Sequence, residues 1–152
     1  MAAENTCADV MIPDPVTLPE GATVGEAIAT LLRTRFHHVP VVDGYGRFLA
    51  LFGGSTVAKA ILPKALTMEG GLGEAAFLRE TLDDMRERLG ALSARPALDF
   101  ADRDVPTVAP DAPLAKGLQL LHRSRTLVIV VDAERRLKGV IAYAGLLARL
   151  AG

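Results

Sequence analysis

Two apolar patterns alternate along the chain, and the alternation runs through twice. Spacings of three and four residues predict a first helix, whose apolar face is formed by Val24, Ala27, Ile28, Leu31 and Leu32. Thr23 followed by Glu26 predicts a capping box at the start of this helix. Two short apolar runs, "VPVVD" and "RFLALF", then predict a β-hairpin around a Gly-Tyr-Gly turn, with strands buried on both faces. Finally, "STVAKAIL" predicts a closing helix with Ser55 as its N-cap.

The second half of the chain repeats this order. The segment "VPTVAPDAPLAKGL" at 105–118 aligns with "PVTLPEGATVGEAI" at 15–28, so that Thr17 matches Thr107. The hairpin returns as "LVIVVD" and "LKGVIA", and "AGLLARL" predicts the second closing helix. We therefore predict a β-α-β-β-α unit that occurs twice. Because a single repeat unit often cannot bury its apolar face alone, we expect the two units to pack together.

The segment between the repeats, residues 63–97, contains a further helical pattern. Spacings of four and three residues predict an amphipathic helix around residues 74–92, with an apolar seam formed by Leu78, Leu82, Met85, Leu89 and Leu92. Two interpretations remain open for this helix. It packs on its own module, or it pairs with its twin across a dimer.

Composition and charge exclude several classes of protein. The chain has 152 residues with a formal net charge of −1, which argues against a nucleic-acid binder with a basic stripe. The single cysteine, Cys7, excludes an intramolecular disulfide and fits a reducing cytosol. The first residues show neither the basic nor the apolar region of a secretory signal, and we expect no membrane span, because no apolar run reaches the ~18 residues that one needs. We therefore expect a cytoplasmic protein.

The repeated blocks resemble a known family. In the first repeat "DVM", "VTLPEGATVGEAI" and "HHVPVVD" stand in the order and spacing of the first motif of a CBS-domain pair, the Bateman module. The second repeat resembles the motif more weakly, since Ile129 stands where the first repeat has Pro40. The resemblance implies an α/β fold in which tandem β-α-β-β-α motifs pack as a pseudo-twofold module, with an extra helix between them. The expected motifs are residues 7–62 and 98–151, joined by the linker 63–97.

The resemblance also implies a ligand site. CBS pairs bind adenosine compounds between the two motifs, so AMP, ADP, ATP or S-adenosylmethionine is the expected class of regulatory ligand. Backbone groups of the first strand and of the Pro-Val strand hold the base, and a Thr and an Asp at the start of the last helix hold phosphate and ribose. Carried over to this chain, the ligand-binding positions are Thr17, His38, Val39, Pro40, Gly53, Thr56, Thr107, Ile129, Ala142 and Gly145.

The chain departs from this pattern in both repeats. Gly53 and Ala142 stand at the Thr position, and Thr56 and Gly145 stand at the Asp position. The second repeat therefore lacks both side-chain hydrogen bonds, and the first keeps only the Thr56 hydroxyl. Losing a charge-assisted hydrogen bond costs roughly 1.5–3 kcal/mol, so we expect nucleotide binding to be weakened or altered.

The sequence offers no catalytic or metal constellation. The adjacent residues His37 and His38 point to opposite faces of a strand, so they do not chelate one ion easily, and no catalytic triad or carboxylate pair is evident. We therefore expect a stand-alone regulatory module rather than an enzyme. We expect a homodimer that contacts itself through "STVAKAIL" and "AGLLARL" and acts on an effector protein in trans. The alternative is a ligand-free dimerisation scaffold.

Overall fold

The computed structural model describes residues 5–62 and 80–152. Its residues divide into two compact units. One unit comprises Met1–Glu20, Pro40–Leu51 and Arg103–Gly152, and the other comprises Gly21–Val39 and Phe52–Asp102. These units do not coincide with the two sequence repeats, because each takes segments from both halves of the chain.

The first repeat opens with a 3₁₀ helix at Cys7–Asp9. It continues with β1 (Ile12–Pro13), β2 (Leu18–Pro19), α1 (Val24–Thr34), β3 (His38–Val42), β4 (Phe48–Gly53) and α2 (Gly54–Ile61). Strands β2, β3 and β4 form a three-stranded sheet in that order, with β2 parallel to β3. The predicted capping box is confirmed, since the Glu26 amide donates to Thr23 Oγ1 at 3.2 Å. The predicted N-cap at Ser55 is wrong, because the helix already begins at Gly54 and Gly53 is its N-cap.

The helix between the repeats, α3 (Leu82–Leu92), begins with a capping box in which the Asp84 amide donates to Thr81 Oγ1 at 3.1 Å. It packs against α2, and Arg88 Nε donates to the Ile61 carbonyl at the end of that helix at 2.6 Å. The same Arg88 forms an ion pair with Glu80. Within its unit, α3 therefore lies on the closing helix of the first repeat. The part of the predicted helix that includes Leu78 lies outside the described residues.

The second repeat has the same order of elements. After a 3₁₀ helix at Ala97–Asp99 come β5 (Thr107–Val108), α4 (Leu114–Ser124), β6 (Leu127–Val131), β7 (Leu137–Ala142) and α5 (Tyr143–Ala151). The predicted α/β fold with two β-α-β-β-α repeats and an additional helix between them is thereby confirmed.

The second sheet has the strand order β1-β7-β6-β5, in which β5 runs parallel to β6 and the other pairs are antiparallel. All five residues of β6 are buried. Val128 and Val130 belong to a core cluster with Cys7, Leu121 and Ile141. The alternate residues of β6 belong to a second cluster, formed by Phe48, Leu51, Leu127, Ile129, Val131 and Val140. The prediction that the Val-rich strand is buried on both faces is confirmed.

The first residues of the described chain pack with the second repeat rather than with their own. The Cys7 amide donates to the Ala112 carbonyl at 3.0 Å, and the Leu114 amide donates to the Asn5 carbonyl at 2.9 Å. Strand β1 adds to the same group of elements, because Ile12 pairs with Val140 of β7. The start of the first repeat, residues 5–13, therefore caps the start of α4 and extends the second sheet.

The matching segment of the second repeat makes the reciprocal contacts. The Ala97 amide donates to the Ala22 carbonyl at 2.8 Å, and the Val24 amide donates to the Arg95 carbonyl at 2.9 Å. These bonds satisfy backbone groups at the start of α1. The segment around the 3₁₀ helix at Ala97–Asp99 therefore caps α1, as the segment around Cys7–Asp9 caps α4. Each repeat thus supplies the segment that caps the start of the first helix of the other repeat.

Candidate functional site

The start of α2 is the candidate site in the first repeat, because it carries the positions where the resemblance places ligand contacts. Gly53 is the N-cap of the helix, and its amide donates to Thr56 Oγ1 at 3.2 Å. The Gly54 amide donates to the His37 carbonyl at 3.3 Å. Thr56 is only 8% exposed, and its hydroxyl oxygen accepts the hydrogen bond that closes the first turn of the helix. The hydroxyl proton and one lone pair remain for a ligand.

His38 lies directly against Gly53. A Cβ atom added to Gly53 would lie 2.6 Å from His38 Cδ2 and 2.8 Å from the His37 carbonyl oxygen. Real Cβ atoms do not approach other atoms so closely, so a side chain at position 53 would displace both the imidazole and the strand backbone. The space that a threonine would occupy here is therefore taken by the ring of His38.

The environment of His38 favours its neutral form. Burial lowers the pKa of this half-buried imidazole, and the neighbouring His37 lowers that pKa further. A neutral imidazole has one nitrogen that donates and one that accepts a hydrogen bond. His38 is thus a polar side chain at the start of α2 that can interact with hydroxyl or amine groups of a ligand.

The start of α5, the corresponding place in the second repeat, is apolar. Ala142 is the N-cap and makes no side-chain cap. A Cβ atom added to Gly145 would lie 3.1 Å from Ile12 Cγ1 and 3.3 Å from Ile12 Cδ1. A carboxylate at position 145 would therefore stand against an apolar side chain of β1. The absence of polar residues at the predicted positions is matched by packing that leaves little room for them.

The remaining predicted positions differ in their exposure. Thr107 lies opposite Ile129 in the parallel pair β5–β6, and the Ile129 amide donates to the Pro106 carbonyl at 3.0 Å. The Ile129 side chain is fully buried in the core, so this residue offers no side-chain contact to a ligand. Val39 and Pro40 are buried as well, whereas Thr17 is exposed.

Within their unit, the predicted residues His38, Gly53 and Thr56 come together at one helix start, with Val39 following on the strand. In the other unit Thr107 and Ile129 are neighbours, while Gly145 contacts β1 instead. The contact between His38 and Gly53 is the feature of the candidate site that reasoning from the sequence missed. The glycine at a position where the resemblance expects threonine was the one signal that pointed to it.

Across residues 5–62 and 80–152 no three or more His, Cys, Asp or Glu side chains are grouped in a way that would hold a metal ion. None of the helices in this described part of the chain is both long and apolar enough to cross a membrane.

Each of the two repeats of the α/β unit ends with a β-hairpin and a closing helix, which defines a protein of two tandem motifs. The family model for the CBS domain matches residues 7–62 and again residues 97–152. The chain therefore belongs to the CBS-domain family, and the resemblance found in the sequence is confirmed.

Solved structures agree with this fold. A CBS-pair protein, CBSX2 from Arabidopsis thaliana, superposes with a TM-score of 0.75 at 17% identity, covering 98% of this chain and 96% of that one. A structure of CBSX2 in complex with AMP gives a TM-score of 0.71 at 14% identity and covers 96% of both chains. At these identities the likeness shows the fold alone.

A curated relative contains a similar segment within a longer protein. The homoserine O-acetyltransferase of Methanococcoides burtonii is 25% identical over 135 residues, which are 88% of this chain and 22% of that protein. The chain thus spans about a fifth of the length of the curated relatives that it matches.

Proposed function

We propose that this CBS pair is a regulatory module that binds an adenosine-type ligand at the start of α2 and thereby changes how it engages a partner protein in trans. The observation that carries the proposal is the position of His38, whose imidazole fills the space of the missing side chain at Gly53. Membership of the CBS family and the AMP complex of the similarly folded CBSX2 support the choice of ligand class. Residues 7–62 and 98–151 are the proposed motifs, with 63–97 as the linker.

The proposed site holds its ligand differently from one with a carboxylate. An Asp can accept hydrogen bonds from both ribose hydroxyls, whereas Thr56 has one hydroxyl whose oxygen already accepts from Gly53. His38, which lies against Gly53, supplies a second polar group at the same helix start. We expect an affinity for AMP about 10- to 100-fold weaker than an Asp in place of Thr56 would give, because a charge-assisted hydrogen bond contributes roughly 1.5–3 kcal/mol.

A second candidate function, a ligand-free dimerisation scaffold, is favoured by the apolar start of α5, where Ala142 makes no side-chain cap and Gly145 packs against Ile12. Helix α5 exposes three large apolar residues on spacings of four and three, with Tyr143 42%, Leu147 60% and Leu150 74% exposed. Exposed apolar stripes of this kind mark association surfaces. We propose a homodimer in either case, and the two candidates differ only in whether a ligand is bound.

A panel of melting temperatures separates the two candidates. AMP, ADP, ATP and S-adenosylmethionine are each added to the protein at millimolar concentration. A ligand present at about 100 times its Kd stabilises the fold by about 2.7 kcal/mol, which raises the Tm by several degrees for a chain of this size. A rise that His38→Ala removes and Arg123→Ala preserves supports the sensor. A flat panel supports the scaffold.

A further inference from the structure

The turns of the two predicted hairpins lie side by side in one compact unit. The Phe48 amide donates to the Arg135 carbonyl at 2.9 Å, and the Leu137 amide donates to the Gly46 carbonyl at 2.9 Å. A β-bridge between Arg47 and Arg136 lies between these two bonds. Backbone hydrogen bonds therefore fix the two turns relative to each other, and we call their shared surface the turn face. It comprises Tyr45, Arg47, Glu134, Arg135, Arg136 and Lys138.

The turn face contains an open pocket of about 210 Å³, lined by Tyr45, Arg47, Glu134 and Arg136. Tyr45 is 74% exposed, and the Arg47 guanidinium lies 5.1 Å from the centroid of its ring. Tyrosine and arginine are the residues that contribute most to binding at protein interfaces. The pocket has the size of one or two side chains of a partner.

The acidic groups at the base of the two turns are occupied by the turns themselves. Asp43 Oδ1 accepts from the amides of Tyr45 and Arg47, each at 2.9 Å. Asp132 Oδ1 accepts in the same way from the amides of Glu134 and Arg136, each at 2.9 Å. The Asp43 side chain is 9% exposed and that of Asp132 is 24% exposed. The second oxygen of each carboxylate pairs with a cation of the turn face, Asp43 Oδ2 with Arg47 Nε at 2.6 Å and Asp132 Oδ2 with Lys138 Nζ at 3.7 Å, so the two groups also offset part of its positive charge.

Four cations, Arg47, Arg135, Arg136 and Lys138, face three carboxylates, Asp43, Asp132 and Glu134, so the turns carry a formal excess of one positive charge. The side chains of Arg47, Arg136 and Lys138 are 51%, 53% and 46% exposed, and Arg135 is exposed beside them. Glu134 is the exposed acid of this face, and its ion pair with Arg136 at 3.2 Å is open to solvent on both sides. Ion pairs exposed in this way contribute little to stability, so a competing carboxylate can replace Glu134 easily. This excess of positive charge stands on a chain whose formal net charge is −1.

We propose that the turn face binds an acidic segment of a partner protein. One side chain of that segment enters the pocket beside Tyr45. Its carboxylates pair with the terminal nitrogens of Arg47, whose Nε is held by Asp43, and with Arg136 in place of Glu134. Arginine suits this role because its planar fork accommodates a carboxylate through two parallel hydrogen bonds. The inference rests on the proposed function only in that a partner acts in trans, and it does not depend on nucleotide binding.

The test measures fluorescence anisotropy of a fluorescein-labelled hexaglutamate peptide titrated with the protein at 150 mM salt. Arg136→Glu is compared with Arg123→Glu, which makes the same change of charge at an exposed position on α4 of the same unit. We expect Arg136→Glu to raise the Kd at least tenfold and Arg123→Glu to leave it within twofold. A melting curve of each variant shows that it is folded.

Three results would overturn the proposal. These are an absence of peptide binding by the unaltered protein at millimolar concentration, an equal loss of binding in both variants, and tighter binding of a labelled oligothymidylate of matched charge. An AMP titration of the same preparations reports on the ligand site separately. Failure of the AMP titration with intact peptide binding would count against the proposed ligand and leave the turn face as a docking site.

Discussion

Adding one methyl group to Gly53 should destabilise the protein, because the site has no room for it. In Gly53→Ala the new Cβ meets His38 Cδ2 at 2.6 Å and the His37 carbonyl oxygen at 2.8 Å. The imidazole can rotate away, whereas the carbonyl belongs to the backbone, so the strand or the helix start must shift. Overpacking of this kind destabilises a protein by about 1–3 kcal/mol. Replacing glycine by alanine also lowers the entropy of the unfolded chain, which offsets about 0.4–1 kcal/mol of that loss. We expect a net loss of about 1–2 kcal/mol, or ~2–8 °C in Tm.

The adjacent glycine provides a matched control. Gly54 lies at the first position of α2, and a Cβ added there meets nothing within 4 Å. Gly54→Ala should therefore stabilise the protein by up to about 1 kcal/mol, since alanine favours the helix. Urea denaturation of both variants measures the difference in the free energy of unfolding. If Gly53→Ala proves as stable as Gly54→Ala, the close packing of His38 on Gly53 is wrong.

Adding His38→Ala to Gly53→Ala separates the two contacts. The double variant removes the clash with the imidazole and keeps the clash with the His37 carbonyl. We expect a coupling free energy of about 0.5–1.5 kcal/mol between the two positions, within the range for residues in direct contact. Simple additivity of the two single changes would show that the ring does not fill the space beside Gly53.

Three further predictions concern the same regions. Arg135 has a left-handed φ of 65°, and the matching residue of the first repeat is Gly46, with a φ of 82°. Because glycine adopts this conformation without strain, Arg135→Gly should stabilise the protein by roughly 1 kcal/mol in urea denaturation. A loss of stability would show that the backbone at Arg135 is not strained. Burial lowers the pKa of His38 in the folded state, so its contribution to stability is complete above pH ~6.5, the unfolded value, and is lost as the pH falls from there through the lower folded pKa. The stability difference between the protein and His38→Gln should therefore change between pH 7 and 5, and parallel pH profiles would refute this. Thr56→Val leaves the Gly53 amide without its acceptor and should cost about 1–3 kcal/mol of stability. Thr56→Ser keeps the hydroxyl and should retain most of the stability. Equal stability of the two variants would exclude a stabilising hydrogen bond from Gly53 to Thr56.

The repeated secondary structure was predictable because its signals are local. The capping residues Thr23 and Glu26 lie three positions apart, and the apolar run of β6 marks a strand buried on both faces whatever its neighbours are. The left-handed turn at Arg135 was also within reach, since that residue aligns with Gly46 of the other repeat. Patterns that depend only on nearby residues therefore gave the order and type of most elements.

Contacts between distant segments were not predictable in this way. Nothing periodic in the first residues indicates that Cys7 donates to Ala112 of the other repeat, because a 3₁₀ helix of three residues carries no pattern. The N-cap of α2 was misassigned to Ser55 because the hydroxyl of Thr56 and the carbonyl of His37 close the helix start instead. The meeting of His38 with Gly53 depends on how the strands and the helix come together, which spacing along the chain does not report.

Isothermal titration of AMP into the protein, with His38→Ala and Arg123→Ala as the comparison, measures ligand binding at the start of α2. We predict measurable binding to the unaltered protein, a loss of at least tenfold in affinity in His38→Ala, and an unchanged Kd in Arg123→Ala. Absence of AMP binding at millimolar concentration, or binding that His38→Ala leaves intact, would contradict the proposed ligand site at the start of α2.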